Sequence, residues 1–135
     1  MHVRIRRGLT ACGVCLSLAA CSPIDPSKNT IVPISGTLQP GGTGASHLFK
    51  AARNGELEVT MTSVVPPPSS GGTIGIALGQ ILNGGCALLP GYVASVIVNR
   101  TTQFYTINKG DYCLLVYDPG VITVSTNYAG NISHP

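Results

Sequence analysis

Acid–base or nucleophilic chemistry in this chain of 135 residues would have to be assembled from few parts. Past the first twenty residues the histidines are His47 and His134. A serine triad needs a base, an orienting carboxylate and an exposed nucleophile, recognised by geometry rather than by sequence order. His47 shares a strand face with Phe49, which predicts a partly buried side chain, and His134 lies one residue from the end, where fraying is expected. No Gly-x-Ser-x-Gly elbow occurs. Paired carboxylates for glycosidic chemistry would have to be Glu56 and Glu58. Two residues apart on a strand they share a face about 7 Å apart, and a solvated face accounts for them. The remaining acids, Asp25, Asp111 and Asp118, are too scattered for the convergent oxygens that a hard cation requires. No His-Glu-x-x-His motif offers a zinc site. The glycines of residues 39–45 lack the Gly-Lys-Ser/Thr of a phosphate loop and read as a turn. The sequence therefore predicts no catalytic residue, no metal site and no cofactor.

The cysteines carry more. Cys12 and Cys15 lie in an apolar run, 8–20, preceded by Arg4, Arg6 and Arg7. That is the layout of a charged and then hydrophobic export signal, in which a C-x-x-C spacing has no second ligand pair to complete it. At its end Leu18, Ala19 and Ala20 lead directly into Cys21. A thiol in that place can be alkylated by a lipid before the preceding peptide bond is cut. The pattern resembles the lipobox of bacterial lipoproteins, which implies multiple acyl chains on Cys21 and a location in the cell envelope. Ser22 after the acceptor fits outer-membrane sorting where the organism has an outer membrane. One acyl chain alone anchors only marginally. Cys86 and Cys113 remain, and in an exported domain they are expected to pair as a disulfide, the alternative being two buried free thiols.

The expected organisation is thus a signal over 1–20, a lipid-anchored tether over 21–33 and one domain over 34–135. Pro23 and Pro26 favour an extended tether, although 31–38 also reads as a first edge strand. The formal charge of +3 belongs to the leader. Lys28, Lys50, Arg53, Arg100 and Lys109 are matched by five acids beyond it, so the domain has no electrostatic footprint for nucleic acid. After Ala20 no run approaches the roughly 20 apolar residues needed to cross a bilayer as a helix.

With 17 glycines and 10 prolines, the chain is punctuated for short strands rather than helices. Period-two alternation runs through 56–62, where Leu57, Val59 and Met61 oppose Glu56, Glu58, Thr60 and Thr62. It recurs at 73–79, with Ile74, Ile76 and Leu78 on one side. Further strands are predicted at 46–52, 92–99, 102–107, 112–117 and 121–128. The segment 112–117 is apolar on both faces, as a central strand is. Turn signals at 53–55, 66–72, 83–85, 108–110 and 118–120 separate them. The prediction is an all-β, antiparallel, jelly-roll-like sandwich of about eight strands without a substantial helix.

Two stretches are similar to the bacterial pre-peptidase C-terminal domain. One is Ser46, His47, Leu48, Phe49, Lys50 followed by Asn54, Gly55, Glu56, Leu57, Glu58, Val59. The other runs from Lys109, Gly110, Asp111, Tyr112 to Tyr117 and closes through Tyr128, His134 and Pro135. The resemblance implies a jelly-roll-like sandwich. Members are usually appended to secreted peptidases, and some relatives bind collagen or polysaccharide, occasionally with calcium. Here the domain is expected to stand on its lipid without a peptidase, and no acid lies in 69–73, so calcium is not expected. Tyr92, Tyr105, Tyr112, Tyr117 and Tyr128 are the groups suited to stacking on sugars or filling a protein interface, with ordinary core and rim packing the favoured alternative. The expected function is a non-catalytic, lipid-anchored envelope module that binds protein or glycan, or else a structural accessory subunit of a surface assembly.

Overall fold

The computed structural model describes residues 25–69 and 73–135, with backbone alone at Pro26 and 103–105. The signal, Cys12, Cys15 and the lipid acceptor Cys21 lie outside the described residues. A single 3₁₀ turn, Pro26–Lys28, leads into eight strands. These are β1 (Thr30–Leu38), β2 (Thr43–Ala51), β3 (Gly55–Val65), β4 (Thr73–Leu82), β5 (Gly85–Ile97), β6 (Thr101–Ile107), β7 (Gly110–Tyr117) and β8 (Thr126–His134). They form two four-stranded antiparallel sheets in the orders β1-β8-β3-β6 and β2-β7-β4-β5. Apart from the β4–β5 hairpin, every connection crosses from one sheet to the other, which is jelly-roll topology.

Alternation builds the core. Leu57, Val59 and Met61 of β3 face Ile74, Ile76 and Leu78 of β4, with Leu114, Val116 and Ile132, all fully buried. In β3 the alternation changes phase after Met61. An irregularity against β8 between Met61 and Ser63 shifts the register, so Val64 rather than Ser63 turns inward. The β4–β5 turn is Asn83-Gly84 with φ of 51° and 79°, the positive values a tight hairpin requires.

Several boundaries differ from the sequence reading. The first strand starts at Thr30, one residue ahead of the edge strand read at 31–38, because Thr30 to Pro33 pair with His134 to Asn131. The strand expected at 92–99 extends back to Gly85. Pro90 and Gly91 mask it, since 89–92 bulge out where the register jumps from Leu88 opposite Gly79 to Val93 opposite Ala77. The last strand is Thr126–His134, not 121–128. Residues 120–122 donate their backbone N–H groups to the Asp118 carboxylate instead of a ladder. His134, expected to fray, pairs with Thr30 and is 5% exposed, its ring 5.0 Å from that of Phe49. The Ala52 N–H donates to the Pro135 carbonyl at 2.9 Å and ties this end to the β2–β3 turn.

Candidate interaction face and the His47–Tyr128 pair

His47 lies on β2 and points into the opening between the sheets, where Tyr128 reaches it from β8. Its Nε2 is 2.8 Å from the Tyr128 hydroxyl. Two glycines make room for that ring: a Cβ on Gly36 would collide with the hydroxyl, and one on Gly44 would lie 2.8 Å from it. Burial lowers the His47 pKa below its ordinary value. Burial raises the Tyr128 pKa, partly offset by a backbone hydrogen bond from Ala45. Both groups are therefore neutral near pH 7. With Ala45 donating to its oxygen, the hydroxyl proton is free to bond Nε2. The pair is a satisfied clasp between the sheets, and its partner is a phenol rather than the carboxylate that a hydrolytic base would need.

Asp118 is also committed to the fold. Gly41 N–H donates to one carboxylate oxygen at 2.7 Å, and Gly120, Val121 and Ile122 donate to the other at 2.9, 2.8 and 3.1 Å. Burial works against its ionisation, but these four bonds together hold the carboxyl below its usual range. The residue welds the 39–42 turn to the 118–122 loop. Glu56 and Glu58 are half-buried on the outward side of β3, alternating with buried Leu57 and Val59. Among the described residues no three His, Cys, Asp or Glu side chains gather as a metal site. None of the described helices is long and apolar enough to cross a membrane.

The described tyrosine side chains do not form an exposed platform. Tyr112 and Tyr128 are buried, Tyr92 is half-buried against the core, and the side chain of Tyr105 lies outside the described residues. Among the described tyrosine side chains Tyr117 alone joins the feature that the sequence reading did not single out, the outward face of the β2-β7-β4-β5 sheet.

This face is built from the residues that alternation turns away from the core. On β4 they are Gly75, Ala77 and Gly79, so the middle of the sheet is low. The Tyr117 ring lies across Gly75, where a Cβ would collide with it. Across Gly79 runs the Cys86–Cys113 disulfide, joining β5 to β7 with Cα atoms 5.8 Å apart. A Cβ on Gly79 would meet the two sulfurs at 2.8 and 2.9 Å. Leu115 rises on the β7 side, and Leu88 and Val93 on the β5 side. The result is an apolar groove of about 330 Å³, closed at one end by residues 41–43 and Asp118. Around it Leu48, Leu88, Val93 and Ile97 are 65%, 51%, 53% and 43% exposed. Large apolar side chains grouped in this way mark an interaction surface more often than scattered ones do. One signal in the sequence foreshadowed it: a strand apolar on both faces, as 112–117 is, asks for cover on both.

No protein-family model matches the chain, and no curated protein does. Among solved structures the chain is similar to the crystal structure of the Yersinia pseudotuberculosis-derived mitogen, with a TM-score of 0.52. The two are 13% identical, and the match covers 79% of this chain and 87% of that one. At that identity the likeness shows the β-sandwich fold.

Proposed function

We propose that the chain is a lipid-anchored, non-catalytic interaction module of the bacterial cell envelope, tethered through Cys21, and that it meets a protein partner on the outward face of the β2-β7-β4-β5 sheet. One observation carries the choice of partner: this face exposes Leu48, Leu88, Val93 and Ile97 around an apolar groove. Sugars are held by stacked aromatic rings with polar groups at their edges, and the described tyrosines are mostly drawn into the core. Protein interfaces want an apolar centre with few charges, and the charged outward side chains of this sheet, Lys50 and Asp111, are paired with each other at 3.8 Å near one end. A structural accessory subunit is the second reading. It draws on β5, which at 13 residues ends its sheet and offers an outer edge that a permanent partner could extend.

The test has two parts. A photo-crosslinking residue at Val93, compared with one at Ser35 on the other sheet, should give a discrete protein adduct in intact cells from position 93 alone. Absence of an adduct, together with pelleting of the purified domain on peptidoglycan, would replace the protein partner with a glycan. Separately, Cys21→Ala should abolish palmitate labelling and leave unprocessed precursor. A mutant that is processed and labelled normally would remove the anchor from the proposal.

A further inference from the structure

The sandwich has two unlike ends, and the short tether decides which one meets the lipid. The β2–β3 turn (52–54), the Asn83-Gly84 hairpin and the β6–β7 turn (108–109) lie together where β1 begins and β8 finishes. The β2–β3 turn is joined to the chain end by the Ala52–Pro135 bond and to the β6–β7 turn by Lys109 N–H donating to Asn54 Oδ1 at 2.8 Å. Asp25, the first described residue, is at this end. Asn29 behind it bonds the Glu56 carbonyl, Ser133 and Arg53. Only four residue steps separate Asp25 from Cys21, a reach of at most about 14 Å. A strand of nine residues spans about 30 Å, so the domain is taller than its leash is long.

We infer that this end, carrying Arg53, Lys109 and Leu82, rests on the membrane surface and takes anionic phospholipid headgroups; this inference depends on the lipid-anchor reading. Its chemistry fits. Of the five cations beyond the leader, Lys28, Lys50, Arg53 and Lys109 are at this end and exposed, whereas Arg100 is at the other. The salt bridges among the described residues pair Lys28 with Asp25 and Lys50 with Asp111. Arg53 also lies close enough to Asp25 to help lower its pKa, and Glu56 stands at the same end, so four cations there meet three acids and the excess is one charge. Leu82, 57% exposed beside the hairpin turn, is placed to enter the headgroup layer. A local excess this small would not hold a free protein to a membrane. Under a tether, however, the contact is intramolecular and a weak attraction suffices. The groove lies on a sheet face beside residues 41–43 and Asp118, in the half of the sandwich away from this end, and so stays clear of the membrane, where a partner can reach it.

The experiment replaces the lipid with a tag. Residues 22–135, which contain both sheets and the whole described core, are held by an N-terminal hexahistidine on vesicles containing a nickel-chelating lipid. The vesicles are phosphatidylcholine with or without phosphatidylglycerol. A fluorophore is placed at Asn108→Cys in the tether end or at Thr123→Cys in the far loops, and quenched with neutral acrylamide. Anionic vesicles should protect the label at 108 and leave that at 123 open. Neutralising Arg53 and Lys109 to Gln should weaken the docking equilibrium about fivefold for each charge removed. Equal quenching on both kinds of vesicle, or protection at 123 instead, would overturn the inference. Because the tag does the anchoring, either result is independent of whether Cys21 carries lipid, which palmitate labelling decides.

Discussion

Two of the side chains that resist protonation, His47 and Asp118, tie stability to pH in separate windows. For His47 the folded state has a pKa below the ordinary 6.5. Its neutral pairing with Tyr128 is therefore fully in place above pH 6.5. As pH falls from there toward the folded value, the unfolded chain takes up a proton that the clasp refuses, and stability declines. Asp118, held below its ordinary 3.8 by backbone donors, supports the fold above pH 3.8 and loses that support as pH drops through its folded value. Urea midpoints measured from pH 7.5 to pH 3 should therefore fall in two stages. His47→Gln should flatten the upper stage, and Asp118→Asn should lower the midpoint near neutrality and flatten the lower one. A His47→Gln protein with an unchanged slope between pH 6.5 and 5 would show that another group governs that window.

At the scale of the elements, the disulfide and β4 constrain each other. Closing the loop between Cys86 and Cys113, 27 residues apart, should stabilise the domain by roughly 3–4 kcal/mol on the chain-entropy estimate. Chemical denaturation of the Cys86→Ser/Cys113→Ser protein measures it directly. Gly79→Ala would push a methyl against both sulfurs and the Ala87 carbonyl, at a cost of about 1–3 kcal/mol. That cost should shrink once the sulfurs are gone, and strictly additive effects would place the clash at Ala87 alone. Much of this architecture was legible: alternation found β3 and β4, and turn chemistry found the hairpin at Asn83-Gly84. Where the reading went astray, a local hydrogen bond or a bulge had overridden the pattern. Asp118 captured the N–H groups of 120–122, so a run with good strand alternation became a loop. Pro90 and Gly91 concealed half of β5. The groove was least visible of all, since it depends on Gly75, Ala77 and Gly79 being flanked by particular neighbours on two other strands.

For the molecule as a whole, the question is which apolar residues serve the fold and which serve a partner. Leu78 is fully buried, and Leu78→Ala should cost about 2–5 kcal/mol. Leu88→Asp and Val93→Asp, on the outward face, should change stability by no more than about 0.5 kcal/mol each, and Leu88→Asp should abolish the adduct formed from position 93. Thermal melts of the three variants separate the two roles. A large loss from Val93→Asp would return that face to the core and leave no surface for a partner.

The pairing of β1 with β8 reaches past the strands it governs. The first strand of the sandwich finds its neighbour only in the last, and β8 also lies between β1 and β3. Half of the sandwich therefore cannot close until the whole chain is present, and contacts so distant in sequence form slowly. For a polypeptide that must cross a membrane before it folds, as the proposed lipoprotein would, that delay would be an advantage. The order of the strands would then keep the chain slack until β8 had followed, and the disulfide can join β5 to β7 only after β7 is made.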